Sequence, residues 1–291
     1  MEHWFWFAVL SAVTSGFGGF TNKIAAYRKL DAGLMLVYSG IMSLSVVIPL
    51  ALFTGVEKLS WTLFLIAFTG GLIAATAGIF KIRALENIDT TIFYPLFKLL
   101  SPLATVIFGM LLFAESFSTR EWIGILLSLF VPLLLITKLE HVRQTNLIRG
   151  LWYVLLASIT AAIVAVVNKY SIDVFQALFW IMASSTTGVF VGGLISFLWK
   201  NRKENIKEKM IERTHRSIMM VSLLRAATLS LSFLFTLYAL SHGGPLGIVY
   251  TIQSLYILIP IVLSIMIYDE HWNTQKVVAI VLSILALGLL K

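Results

Sequence analysis

A lysine stands near the middle of a long apolar run: Lys98 is the one charged residue between Thr90 and Ala114. A lone ammonium at that depth costs about 2.5–3.5 kcal/mol on membrane-insertion scales, so its surroundings must compensate. Every aspartate and glutamate falls in a loop or at the end of an apolar run, which makes a permanent internal ion pair hard to build. Three outcomes can settle such a charge: release of the proton through desolvation, bonding to carbonyls freed by Pro95 or Pro102, or exposure to a wet cavity. Tyr94, Lys98, Ser101 and Thr105 share one helical face, and that polar stripe favours the cavity. A charged lysine there attracts the carboxylate or phosphate of a small molecule. The plainer outcome is a lysine held by backbone carbonyls.

A second polar stripe lies in the run from Pro245 to Tyr268, where Tyr250, Gln253, Tyr256 and Ser264 stand. Two such stripes read as opposite walls of one cavity, against ordinary hydrogen bonding between helices. Arg225 is the second intramembrane cation and shares a face with Thr228 and Ser232. It either contacts substrate, forms a structural ion pair, or extends its long side chain to the interface. Glu115 and Glu270 sit just before Thr119 and Thr274, where a carboxylate complements the positive end of the following helix. Asn22-Lys23 and Asn168-Lys169 close two apolar runs and read as helix-end anchors first and as gates second.

Other chemistry finds little support. The chain has no cysteine, and its five histidines share no ligand spacing, so neither a metal site nor any other cofactor is expected. No nucleotide-binding loop, catalytic triad or paired catalytic carboxylates stand at a convincing spacing, so the chain is not read as an enzyme. With 59% hydrophobic and 12% charged residues, it is not an ordinary soluble domain. The net charge of +8 lies in short loops between apolar runs, which makes it a topological signal and not a nucleic-acid surface.

The partner implied by that composition is a lipid bilayer, which a helix crosses with about 20 apolar residues. The expected helices are Trp4–Thr21, Ala32–Thr54, Trp61–Phe80, Thr90–Ala114, Arg120–Thr137, Trp152–Asn168, Phe175–Trp199, Ser217–Leu240, Pro245–Tyr268 and Thr274–Leu290. Trp4, Trp6, Trp61, Trp122, Trp152 and Trp272 fall near their ends, as an interfacial belt would place them. The layout repeats. At one constant step Ala84-Leu85, Glu115, Thr119 and Ser128 return as Ala239-Leu240, Glu270, Thr274 and Ser283. At a shorter step Trp6, Thr14, Asn22 and Lys23 return as Trp152, Thr160, Asn168 and Lys169. Residues 1–137 and 150–291 are therefore expected to be duplicated units joined by a linker at 138–149. An odd number of helices in each makes the second half enter the membrane from the opposite side. The expected fold class is all-α integral membrane, with ten transmembrane helices in two inverted five-helix repeats.

Asn22-Lys23, the stretch Ala84-Leu85-Glu86-Asn87-Ile88-Asp89, Pro102, Glu115 with Gly124, and the repeated Glu270 carry a family resemblance. In order and duplication the chain resembles the EamA-type ten-helix exporters of the drug/metabolite transporter superfamily, over nearly its whole length. Two departures are Ala279, where the second repeat would match Gly124, and Lys98 itself. The resemblance implies a pseudosymmetric basket of helices whose third, fourth, eighth and ninth members line a central cavity, and export of amino acids or other small metabolites. Inverted repeats place a substrate site near the bilayer midplane, so the expected partner is a small-molecule substrate moved by alternating access. A multidrug or cation exporter, and a structural or receptor-like membrane protein, are the alternatives. The expected location is the inner (plasma) membrane, multi-pass, with both termini outside because basic residues crowd the loops after odd-numbered helices. A monomer suffices to form the inverted-repeat unit; the oligomeric state is not legible.

Overall fold

The computed structural model describes residues 3–27, 30, 32–85, 87–88, 90–135, 146–200, 216–259 and 274–291. These form ten α-helices: α1 (His3–Tyr27), α2 (Ala32–Phe53), α3 (Trp61–Leu85), α4 (Thr90–Phe113), α5 (Thr119–Leu134), α6 (Leu147–Phe175), α7 (Leu178–Lys200), α8 (Arg216–Ser241), α9 (Leu246–Ser254) and α10 (Thr274–Leu290). A 3-10 turn at Leu255–Ile257 prolongs α9. No strand occurs among the described residues. The all-helical outcome follows from the sequence: in hydrocarbon every backbone N–H and C=O must be satisfied within its own segment. Helices α2, α3, α4, α6, α7 and α8 are each long and apolar enough to cross a membrane. Phe53, Leu111, Ile148 and Trp199 are exposed on the outer surface of the bundle, an apolar girdle that suits lipid and not water.

The helices pack as a duplicated unit. α1 lies along α8 as extensively as α6 lies along α3, while α2 packs on α7, α4 on α9 and α5 on α10. A two-fold exchange of the first five helices with the last five reproduces this pattern, as expected of two inverted five-helix repeats. The closest crossing is α3 on α7. A Cβ on Gly71 would lie 2.0 Å from the Ser185 carbonyl oxygen, and one on Gly188 would lie 2.1 Å from that of Phe68. Only glycine at both positions permits this backbone approach.

Several expectations are corrected. α1 continues through Asn22-Lys23 to Tyr27, beyond the expected end at Thr21, α3 continues to Leu85, beyond the expected end at Phe80, and α6 runs from Leu147 to Phe175, longer at both ends than Trp152–Asn168. The polar residues taken as boundaries, Lys81 and Asn168-Lys169, lie inside these helices because their neighbours keep the backbone helical. The break between α6 and α7 falls at Gln176, whose φ of 50° places it in the left-handed region. Trp4 does not belong to an interfacial belt: it is buried in the main core with Phe5 and Trp180. Trp6, Trp61 and Trp152 are exposed as expected, Trp122 packs edge-on against Phe117, and Trp272 lies outside the described residues. So does the expected ninth helix beyond residue 259, Ser264 included.

Candidate functional site

Helices α1, α3, α4, α6 and α9 border a cavity of about 250 Å³, lined by Lys81, Phe97, Lys98, Ser101, Tyr250, Gln253 and Tyr256, among others; Ser15 of α1 and Ala161 and Val164 of α6 stand where the resemblance implied a wall from α8. Lys98 is 8% exposed. Its ammonium sits 3.5 Å from the centroid of the Tyr256 ring and 5.5 Å from that of Phe97, within the range of a cation–π interaction. Among the described residues it has neither a carbonyl nor a carboxylate partner, so of the outcomes considered for it the cavity matches the geometry. Phe93 stacks on Phe97 at 5.7 Å and holds that ring in place.

Lys81 is the cavity residue that sequence reasoning missed. Its ammonium lies 4.4 Å from the Phe97 centroid, so two lysines share one aromatic ring. It also lies within electrostatic reach of Lys98 and Arg225. A signal was present: Ala74, Ala77 and Lys81 are spaced three and four apart, one small-residue face that carries the lysine toward the bundle interior.

The remaining candidates divide by place. Ser101, Tyr250, Gln253 and Tyr256 line the same cavity as Lys98. Tyr94 stands beside it, edge-on to Phe93 at 5.1 Å and within electrostatic reach of Tyr256 and Arg225. Thr105, on the same stripe, is buried and donates to the Ser101 carbonyl at 2.9 Å. Arg225 lines an adjacent cavity of about 230 Å³ with Asn168, Ser185 and Ser230. The two cavities share Ala74 and Val164. Between them the Asn168 amide donates to the Tyr250 hydroxyl at 3.2 Å, which makes that bond a partition.

Gln253 does more than line a wall. Its amide nitrogen donates to Ser11 Oγ at 2.9 Å and to Thr236 Oγ1 at 3.1 Å, with Ser15 and Ser232 hydroxyls each at 3.4 Å. Ser11 in turn bonds Thr236 at 2.7 Å. Hydroxyls from α1 and α8 thus clamp the amide from behind.

The helix-end candidates have structural partners. Lys169 pairs with Asp173 at 3.0 Å, one turn along α6. Glu115 does not serve the start of α5, which has its own capping box from Ser118 and Glu121. Its carboxylate crosses to the other repeat and accepts from the backbone N–H of Leu246 and, at 3.0 Å, of Gly247. These are the first residues of α9, where unpaired N–H groups and the positive helix end favour an anion. Ala114, with φ of 52°, turns the chain to bring Glu115 there. The side chains of Asn22 and Lys23, and all of Glu270, lie outside the described residues.

A buried cationic cavity at the junction of two duplicated halves, inside a girdle of lipid-facing apolar side chains, defines a multi-pass membrane protein of the transporter class. The EamA-like transporter family model matches residues 3–137 and again residues 148–290. The chain belongs to the EamA-like transporter family, in the drug/metabolite transporter superfamily, whose members are transporters rather than enzymes. A solved structure described only as "Crystal structure of protein" is similar in fold, with a TM-score of 0.73 at 14% identity, covering 99% of this chain and 95% of that one. No curated protein matches the chain.

Proposed function

We propose that the chain is a secondary transporter that exports small carboxylate-bearing metabolites, amino acids or related compounds, across the cytoplasmic membrane by alternating access. The observation that carries this reading is the Lys98 ammonium, buried against Tyr256 in a cavity where no described carboxylate neutralises it. A substrate carboxylate supplies the missing charge, with Ser101, Tyr250 and Tyr256 as hydroxyl donors and Tyr94 and Arg225 beside them. Membership of the family supports transport, and midplane sites are the rule for inverted repeats. The Asn168–Tyr250 hydrogen bond is the partition that must open for passage toward Arg225. A cation exporter is the weaker reading, because the cavity already holds two ammonium groups. With every acidic residue in a loop or at a helix end, no buried carboxylate is at hand to trade a proton for a cation, which favours exchange or facilitated diffusion.

The test is transport in proteoliposomes by Lys98→Gln and Lys98→Arg. The Gln variant should lose carboxylate flux by roughly tenfold or more, the scale of one charge-assisted contact, at unchanged expression. The Arg variant should keep part of it. Normal flux in the Gln variant would make Lys98 structural and remove the anionic-substrate reading. Flux of a quaternary ammonium compound in place of the carboxylate would favour the cation exporter.

A further inference from the structure

The two halves of the cavity are equivalent in sequence and opposite in chemistry. The step that relates Glu115 to Glu270 also relates Lys98 to Gln253, Lys81 to Thr236 and Ala77 to Ser232. The shorter step that relates Asn22 to Asn168 relates Ser15 to Ala161 and Ser11 to Ala157. The packing follows the same exchange, since α9 lies against α1 and α8 near Gln253, and α4 lies against α6 and α3 near Lys98. Around Gln253 the hydroxyls of Ser11, Ser15, Ser232 and Thr236 consume the amide hydrogens. Around Lys98 the corresponding positions hold Ala157, Ala161, Ala77 and a second cation, Lys81. Two of those alanines, Ala77 and Ala161, line the cavity beside both lysines.

We infer that Lys81 and Lys98 are two anchors of one substrate site, and that the site is selective for small dicarboxylates over monocarboxylates. This rests on the carboxylate reading above and narrows it. At one half-site hydroxyls hold the amide nitrogen of Gln253. The other offers two ammonium groups, both within 5.5 Å of the Phe97 centroid, beside the methyl groups of Ala77 and Ala161, and among the described residues their close partners are aromatic faces. Aromatic faces attract ammonium groups weakly compared with a carboxylate. A single carboxylate leaves one ammonium without a counter-ion. A compound with an acidic group at each end of a short apolar spacer supplies one carboxylate to each, with its methylenes against Phe97. Lys81 is therefore the specificity residue, and Lys98 the anchor common to any carboxylate.

The experiment compares succinate with butyrate, which has the same chain length and one acidic group, by direct binding to the purified full-length protein in detergent. Wild type should bind succinate roughly tenfold more tightly than butyrate, the scale of one added charge-assisted contact. Lys81→Gln should bring the two within about twofold of each other, with succinate losing more than butyrate, whereas Lys81→Arg should keep the preference. Monodisperse elution of each variant in gel filtration checks folding, and if Lys81→Gln fails it, the wild-type ratio and the Lys81→Arg variant still decide. Equal affinity of wild type for both acids, or a preference that survives Lys81→Gln, overturns the inference and leaves the carboxylate reading standing. Binding of neither acid overturns the inference as well, and the carboxylate reading is then decided by the Lys98→Gln flux.

Discussion

Glu115 of the first repeat and Gly247 of the second are joined by a hydrogen bond of 3.0 Å, carboxylate to backbone N–H. The contact is close on both sides. A Cβ on Gly109 would lie 2.4 Å from the Glu115 carboxylate, and one on Gly247 would meet Phe117 at 2.9 Å. The start of α9, and with it the height of Gln253 and Tyr256 in the cavity, is thus set by a residue of the other half.

Glu115→Ala should destabilise the protein by about 1–3 kcal/mol, the cost of leaving N–H groups without a partner at a helix start. Glu115→Gln keeps an acceptor and should lose about 1 kcal/mol, the scale of the helix-end charge interaction. Thermal unfolding of the purified variants in one detergent checks the order. Equal midpoints for wild type and the Ala variant would show that the cap contributes nothing.

Two glycines of α3 should respond in opposite ways. Gly71→Ala places a methyl group 2.0 Å from the Ser185 carbonyl oxygen, a backbone atom that cannot turn aside, so α3 and α7 must separate. Overpacking of this kind costs about 1–3 kcal/mol or more. Gly78→Ala meets nothing within 4 Å and should be neutral or gain up to about 1 kcal/mol from helix propensity. Expression level and thermal midpoint of the pair test whether the crossing is as tight as described.

Ala77→Ser with Ala161→Ser would transplant the hydroxyls found around Gln253 into the pseudo-equivalent pocket of Lys98. Hydroxyls there give the ammonium groups a resident partner that competes with substrate. The double variant should keep its fold and lose carboxylate binding by roughly tenfold, since hydrogen bonds to charged groups are worth about 1.5–3 kcal/mol. Binding measured against wild type settles it; unchanged affinity would mean that the alanines are there for packing.

The proposed orientation places both termini outside and the stretch 201–214 in the cytoplasm. Reporter fusions after Asn146 and after Lys291 should report opposite compartments, and a reporter within 201–214 should report the cytoplasm. Matching signals from Asn146 and Lys291 would contradict the inversion itself.

What was legible in the sequence followed from hydrocarbon chemistry. Lys98 announced itself because a charge inside an apolar run has few explanations. Lys81 did not, because a lysine near the end of a run reads as the start of a loop, and only the continuation of α3 to Leu85 turns it inward. Gln253 was visible as a polar residue at midspan, but the Ser11 that receives its amide hydrogen lies 242 positions away. Nothing local distinguishes a serine that packs from one that clamps. Glu115 shows the same limit: its position before a helix was plain, and the helix that it serves was not. Trp4 misled because tryptophan near a helix end usually marks the membrane surface, whereas here α1 is drawn into the core along α8.

The unequal half-sites bear on the direction of transport. In a protein with identical halves, the inward-open and outward-open forms would be related by the two-fold axis and equally populated at rest. Here the hydroxyl clamp on Gln253 ties α9 to α1 and α8, while among the described residues no comparable side-chain bond ties α4 to α3 or α6 around Lys98. Under the alternating access proposed above, the empty carrier would have a preferred resting face, and an anion bridging Lys81 and Lys98 would strengthen the weaker half and move the two forms toward balance. On that reading cargo, and not only its gradient, would set how often the carrier turns over.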